Sequence, residues 1–357
     1  MPQSLPTVIV SAPVPPDLRE AIEAASRIVD VPTGQRLDEA VSAADRAVAR
    51  GVLCTVRTPV DAATLEALPA VKVVSNFAVG YDNVDVPRAT QGGVLVCNTP
   101  GVLDRAVADL TMGFVICLAR DMVEGDAYVR QGAWLRGPAP LTADLAGKTL
   151  GLLGMGRIGR MVARRAQAFD MRVIYHNRNR DTPSEQEGLA AYRSRDQLLA
   201  ESDFLSVHIP LSAETRGSVG MREFEAMKPS AYLINTARGA VVDEAALVQA
   251  LRDGRIAGAG LDVMEREPLD PASPLCALSN VVLQAHAGSA TVETRRAMME
   301  LAVANLLDAL GGRQPRAMVN PAVRDAIAKL EGRPDRALSI RDPADIVMLP
   351  WTSTSST

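Results

Sequence analysis

Short apolar blocks recur along the chain, and between them lie longer stretches whose apolar residues return at helical spacing. Over the first hundred residues the blocks fall at 8–10, 52–55, 71–74 and 94–97, separated by helix-like segments such as 18–25 and 37–50. An unbroken apolar block belongs in a strand buried on both faces, and its alternation with amphipathic segments predicts a parallel sheet wound with crossover helices. Asn98-Thr99-Pro100-Gly101 interrupts the pattern, with Pro100 and Gly101 as a hinge, and residues 102–128 then predict one long helix leading to a second domain. From residue 149 the alternation resumes, with strands expected at 150–153, 171–175, 204–209, 231–235, 258–263 and 281–284, the six of a doubly wound sheet. A last helix, 292–310, returns the chain to the first domain. The expected domains are therefore 1–101 joined with 292–323, then 102–291, followed by a tail at 324–357 whose apolar stretch 346–351 is able to dock.

The block at 150–153 empties into Gly154-Met155-Gly156-Arg157-Ile158-Gly159, and a helix and a second strand follow. Strand, glycine turn, helix and strand in that order form a dinucleotide-binding unit. Gly154 allows the tight turn, Gly156 lets the backbone approach a pyrophosphate, and Gly159 lets the helix pack closely while its N-terminal N–H groups face the anion. After the second strand, where NAD-binding units place an acid on the ribose hydroxyls, the chain has His176-Asn177-Arg178-Asn179-Arg180. No carboxylate there repels a 2′-phosphate, and Arg178, with Arg180 beside it, is suited to pair with one. This favours NADP, with NAD as the alternative.

Composition narrows the class. Of 357 residues 47% are apolar and only 3% aromatic, so the cores are built from Ala, Val and Leu. A net charge of −4 with no long basic run argues against a nucleic-acid partner and for a small molecule. Cys54, Cys97, Cys117 and Cys276 lack metal-ligand spacing and read as reduced thiols. The N-terminus has no signal-peptide pattern, and the uncharged apolar run 110–119 is about half a membrane span, so the expected location is cytoplasmic.

With three histidines in the chain, a group titrating near neutral pH without a large shift must be His176, His208 or His286. His176 falls on the adenosine side, and His208, before Ile209-Pro210, lines the cofactor at a crevice rim. His286 stands at the sixth strand end, where open α/β sheets bind ligands, and is the acid/base candidate. Arg238 ends another strand and Glu267 follows the fifth. Together they suffice for hydride transfer to a 2-oxo acid: Arg238 holds carboxylate and carbonyl, His286 protonates the developing alkoxide, and Glu267 supports the imidazole.

These motifs resemble the D-isomer-specific 2-hydroxyacid dehydrogenase family over about residues 7–322. They are Val79-Gly80-Tyr81-Asp82-Asn83, Asn98-Thr99-Pro100-Gly101, the glycine turn, Asn235-Thr236-Ala237-Arg238-Gly239, Gly260-Leu261-Asp262-Val263 and the stretch 286–291. The resemblance implies a Rossmann cofactor domain inserted in a discontinuous, flavodoxin-like substrate domain, and a homodimer in which the substrate domain closes over the cofactor domain. It assigns catalysis to Arg238, Glu267 and His286, and substrate binding to Arg238 and the backbone N–H groups of Val79 and Gly80. It places the cofactor against Gly154, Gly156, Arg157, Ile158, Gly159, Asn177, Arg178, His208, Pro210, Thr215, Thr236, Ala237, Asp262 and Ser289. Glu267 is preferred over Glu265 because it stands directly before Pro268 and 19 residues ahead of His286. Ala285 replaces a common Pro and Ala287 a larger aliphatic, departures expected to affect rate more than reaction type.

Within the family the chain looks most like the NADP-dependent glyoxylate/hydroxypyruvate reductases and their relatives acting on hydroxyphenylpyruvate or 2-ketogluconate. This implies NADPH-dependent reduction of a small 2-oxo acid to the D-2-hydroxy acid, with His286 as general acid. Two other readings stay open: a phosphite or phosphorylated hydroxy-acid dehydrogenase, and a nucleotide-sensing corepressor-like binding protein. Thr55-Val56-Arg57 and Phe77-Ala78 are expected to line the pocket. Arg57 either contacts a second anionic group or is solvated, and Trp134 either reaches a neighbouring subunit's pocket or packs at the interface.

Overall fold

The computed structural model describes residues 5–323; the stretch 324–357 lies outside the described residues. The chain divides after Val102 and again after Thr294, giving one discontinuous unit and one continuous unit.

In the discontinuous unit the strands are β1 (Thr7–Ser11), β2 (Arg27–Asp30), β3 (Ala49–Cys54), β4 (Val73–Asn76) and β5 (Leu95–Cys97). They form a parallel sheet in the order β2-β1-β3-β4-β5, the flavodoxin-like winding. Strand β2 is absent from the four strands expected, because it sits at an edge with charged ends and no fully buried residue. The expected helix at 37–50 is two short helices, Leu37–Ala40 and Ala43–Val48, separated where the Ser42 side chain accepts the Asp45 N–H at 3.1 Å and caps the second. Its last two residues already belong to β3.

The C-terminal helix Val292–Leu310 and the chain after it close this unit. Ser75 Oγ donates to the Ala302 carbonyl at 2.7 Å, and fully buried Asn305 donates to the Asn98 carbonyl while accepting the Ala317 N–H. Asn320 accepts the Val96 N–H at 2.8 Å and donates to the Val94 carbonyl.

In the continuous unit the strands are β6 (Thr149–Leu153), β7 (Arg172–His176), β8 (Ala191–Tyr192), β9 (Phe204–Val207), β10 (Tyr232–Asn235), β11 (Gly258–Leu261) and β12 (Val281–Leu283). Their order is β12-β11-β10-β9-β6-β7-β8, all parallel. The sheet thus has seven strands rather than six, the unexpected one being β8, two residues long at an edge. Winding reverses between β6 and β9, which puts the switch point of the sheet beside the glycine turn.

Alternate residues of the central strands feed two cores. Leu150, Leu152, Tyr175 and Phe204 pack with helices Asp104–Arg120 and Arg157–Gln167 on one face. Leu153, Ile174, Leu205 and Leu233 pack on the other with helices Arg195–Glu201, Met221–Ala226 and Glu244–Arg252. The single helix expected at 102–128 is two, Asp104–Arg120 and Met122–Arg130, broken at Asp121, whose φ of 48° is left-handed. Asp is among the few residues that enter this region readily, so the apolar periodicity runs on while the axis does not. Among the described residues no helix is long and apolar enough to cross a membrane.

Candidate active site

At the switch point Gly154 has φ 109°, and a Cβ on it would meet the His208 carbonyl carbon at 2.7 Å. A Cβ on Gly159 would lie 2.4 Å from the Gly154 oxygen. Both positions therefore exclude a side chain, one by conformation and contact, the other by contact alone. Around Gly156 the space is open to 4 Å, which leaves room for a group approaching the backbone. The first-turn N–H groups of helix Arg157–Gln167 have no intrahelical acceptor and carry the positive end of its dipole. Open space over unsatisfied amides fits a pyrophosphate.

The turn is braced from β7. Gly154 N–H donates to the His176 carbonyl at 3.0 Å, and Asn177 Oδ1 accepts the Met155 N–H at 2.7 Å. Beyond Asn177 the loop is held by a polar knot. The Tyr175 hydroxyl donates to Glu185 at 2.7 Å and accepts the Asp181 N–H, while Arg160 holds Asp181 through two nitrogens at 2.7 and 2.8 Å. Burial, with Glu185 beside it, pushes the Tyr175 phenol up to about 12, so it stays a donor. Arg180 is bound to Glu185 and lies over the Tyr192 ring at 5.0 Å. Exposed Arg178 has no such tie among the described residues, although its charge is felt at Glu214. The two arginines thus differ: Arg180 braces the loop and Arg178 faces solvent.

Three neighbouring strand ends are knitted together. After β10, the Asn235 side chain closes the turn by donating to the Arg238 carbonyl and accepting the Ala237 N–H, at 2.9 and 3.0 Å. A Cβ on Gly239 would overlap the Met264 carbonyl at 1.9 Å, so this turn lies directly on the loop after β11. After β12, His286 donates its backbone N–H to the Asp262 carbonyl at 2.8 Å, and the Asp262 carboxylate accepts the N–H groups of Ala287 and Gly288 at 2.6 and 2.9 Å. His286 is held at φ 53°, left-handed for a residue with a Cβ.

Its Nδ1 lies 2.7 Å from Glu267 Oε2, and the other Glu267 oxygen accepts the Met264 N–H at 3.2 Å. Burial works against the charge on Glu267. The imidazole's hydrogen bond and charge, the Met264 N–H and the Arg238 charge outweigh it and hold the carboxyl below its usual range. A carboxylate at Nδ1 fixes that nitrogen as a donor and leaves Nε2 to exchange a proton with a ligand. The pair keeps side-chain exposures of 34% for His286 and 26% for Glu267, so the free nitrogen is reachable.

In the discontinuous unit, the Val79 carbonyl accepts from Asn98 Nδ2 and the Gly80 carbonyl from Asn76 Nδ2, both at 2.8 Å. The N–H groups of Val79 and Gly80 donate to nothing among the described residues. Adjacent carbonyls pinned behind, with adjacent amides free in front, make a cradle suited to a carboxylate.

The model of the D-isomer specific 2-hydroxyacid dehydrogenase NAD-binding domain matches residues 112–288. A glyoxylate reductase of Aeropyrum pernix is 46% identical over 89% of this chain and 97% of its own length. Glyoxylate/hydroxypyruvate reductase B of Salmonella typhi is 45% identical over 88% of this chain and 98% of its own. The chain belongs to the D-isomer-specific 2-hydroxyacid dehydrogenase family. Among solved structures, the NADPH-dependent glyoxylate/hydroxypyruvate reductase of Sinorhizobium meliloti, in complex with NADP and malonate, superposes with a TM-score of 0.81 at 37% identity, covering 90% of this chain and 98% of that one. The TT0316 protein of Thermus thermophilus gives 0.79 at 43% identity, covering 88% and 99%.

In this family member His286 and Glu267 meet directly, and the Arg238 charge acts on Glu267. Arg157, expected at the cofactor, has its guanidinium on Asp104 at 3.1 Å, which leaves its backbone N–H in the anion-facing turn. Ile158 is half-buried and packs on the core under that turn. The Thr215 hydroxyl donates to the Pro210 carbonyl at 2.7 Å and folds the loop after β9. Thr236 pairs with Thr111 at 3.1 Å beside partly buried Ala237, and Ser289 is half-buried in the loop after His286. Asp262, expected to touch the cofactor, has both carboxylate oxygens on the His286 loop. Sequence reasoning missed the pinning amides of Asn76 and Asn98. Asn98 opens a motif singled out as a hinge, but nothing in a linear pattern tells which carbonyl an amide will reach.

His208 Nε2 lies 2.9 Å from Ser206 Oγ, and burial pulls its pKa from 6.5 down to about 4. As pH falls below 6.5 the unfolded chain takes a proton that the folded chain refuses, so stability is full above 6.5 and declines until about pH 4. Urea midpoints measured between about pH 7 and 4.5 without coenzyme should show a shallower decline in His208→Gln than in the parent protein; equal slopes would contradict this account.

Proposed function

We propose that this protein is an NADPH-dependent reductase that converts a small 2-oxo acid of the glyoxylate or hydroxypyruvate type to the D-2-hydroxy acid. The observation that carries the reading is the 2.7 Å His286–Glu267 contact, within reach of the Arg238 charge. When bound, NADPH contributes a hydride. Arg238 holds the carboxylate and polarises the carbonyl through its fork of donors. His286 Nε2–H donates to the oxygen on which negative charge develops, and Glu267 stabilises the imidazolium before transfer and fixes the ring plane throughout. The free amides of Val79 and Gly80 take the substrate carboxylate. The turn at Gly156 would hold the coenzyme's pyrophosphate, and Arg178 would pair with its 2′-phosphate. NADP named with the Sinorhizobium meliloti reductase and the fit at the glycine turn both support this coenzyme.

We also propose a cytoplasmic homodimer. Four free thiols suit a reducing compartment. For the dimer the support is an apolar arm, with Met122, Val123, Val129, Trp134, Leu135 and Leu141 all more than half exposed and Leu135 at 94%. Such a run is costly to leave in water and is covered at low cost by a second copy.

Replacing His286 by Ala should lower turnover at least ~10²-fold with NADPH binding retained; near-normal rates with glyoxylate and hydroxypyruvate would remove it from the general-acid role. In Arg178→Ala the KM for NADPH should rise far more than that for NADH, and equal rises would remove the 2′-phosphate from this residue. Light scattering of Leu135→Asp should report monomers where the parent protein gives dimers, and a persistent dimer would move the interface elsewhere.

A further inference from the structure

The loops leaving β3 and β4, neighbours in the sheet of the discontinuous unit, are stapled by one pair of asparagines. Asn83 Nδ2 donates to the carbonyls of Thr55 and Thr58, at 3.1 and 2.9 Å, on either side of Arg57. Asn83 Oδ1 accepts from Asn76 Nδ2 at 3.1 Å, the same amide that pins the Gly80 carbonyl. Phe77 N–H donates to the Cys54 carbonyl at 2.7 Å and closes the seam between the loops. The backbone that carries Arg57 and the backbone that offers the Val79 and Gly80 amides are therefore one rigid piece.

Within that piece the backbone at Arg57 is fixed. Thr58 N–H donates to the Thr55 carbonyl at 3.0 Å, Arg57 N–H to Thr55 Oγ1 at 3.3 Å, and the buried Thr58 hydroxyl pairs with Ser11 at 2.9 Å. The side chain is exposed, and its guanidinium makes no hydrogen bond or ion pair among the described residues. The carboxylates of Asp38 and Asp61 are both held by Arg36. Gly34, which brings no charge, faces the Cβ of Arg57. Arg295 lies over the Phe77 ring at 5.6 Å.

Resting on the proposed reductase activity, we infer that Arg57 selects among 2-oxo acids by recognising their far end. With one carboxylate in the amide cradle, the guanidinium carried on the same stapled backbone favours substrates that have a second anionic group, a carboxylate or a phosphate. It contributes less to a terminal hydroxyl and nothing to glyoxylate, which has no far end. A charge-assisted pair between a planar guanidinium and an oxyanion is among the stronger polar contacts, and here the arginine has no partner among the described residues to surrender.

The test is kcat/KM with NADPH for glyoxylate, hydroxypyruvate, 2-oxosuccinate and 3-phosphohydroxypyruvate, in the parent protein, Arg57→Met and Arg57→Lys. Arg57→Met keeps the stem and removes the charge. It should lower kcat/KM for the better of the two dianions by about 10- to 100-fold, the range of a lost charge-assisted contact, and leave glyoxylate within about twofold. Arg57→Lys should recover part of the loss, and the dianion that loses more identifies carboxylate or phosphate as the preferred group. An equal loss on glyoxylate, or no loss on either dianion, overturns the role of Arg57 while leaving the reductase reading intact. No turnover of any 2-oxo acid by the parent protein overturns the reductase reading itself.

Discussion

A buried aspartate carries the geometry of the candidate site. His286 has a left-handed backbone, which costs about 1–2 kcal/mol for a residue with a Cβ. Three consecutive N–H groups, from His286, Ala287 and Gly288, converge on Asp262, one on its carbonyl and two on its carboxylate. Hydrogen bonds to a charged group are worth roughly 1.5–3 kcal/mol each, so the pair on the carboxylate outweighs the strain. Asp262 is 1% exposed, and without its amide partners the carboxylate would be a buried, unsolvated charge. Strained histidine and buried aspartate each make the other tenable, and the imidazole is aimed at Glu267 as a result.

The rest of the site repeats this division between groups that hold and groups that are held. Asn76 and Asn98 hold carbonyls so that amides face outward, Asn177 holds the glycine turn, and Arg180 holds Glu185 while Arg178 stays available. In each case the holding group is satisfied inside its own unit. A ligand therefore meets donors already in position and need not order them, and preorganisation of this kind lowers the cost of binding.

How much of this could be read along the chain depended on how local each signal was. The glycine turn was legible because its residue types fall within six positions: Gly154 has a positive φ, and Gly159 lies against the Gly154 carbonyl. Arg238, Glu267 and His286 were legible because parallel winding sends successive strand ends to one edge, so topology alone gathers them. Strands β2 and β8 were not legible, because edge strands of four and two residues lack the apolar block that marks a buried one. The break at Asp121 was hidden by helical periodicity that continues across it. The asparagine pins escaped for a different reason: an amide's partner is chosen in three dimensions, 19 residues away for Asn98 and only 4 for Asn76.

The closure of the discontinuous unit by residues 302–320 sets an order of events during synthesis. The continuous unit, 103–294, has all of its strands once residue 294 has left the ribosome. The first hundred residues emerge earlier, yet the hydrogen bonds of Ser75, Val94, Val96 and Asn98 to Ala302, Asn320 and Asn305 cannot form until almost the whole described chain is out. The part made first is thus the part completed last. Its parallel strands, rich in Val, wait with one face unsealed, and nascent chains are most exposed to aggregation and most in need of chaperones during that interval.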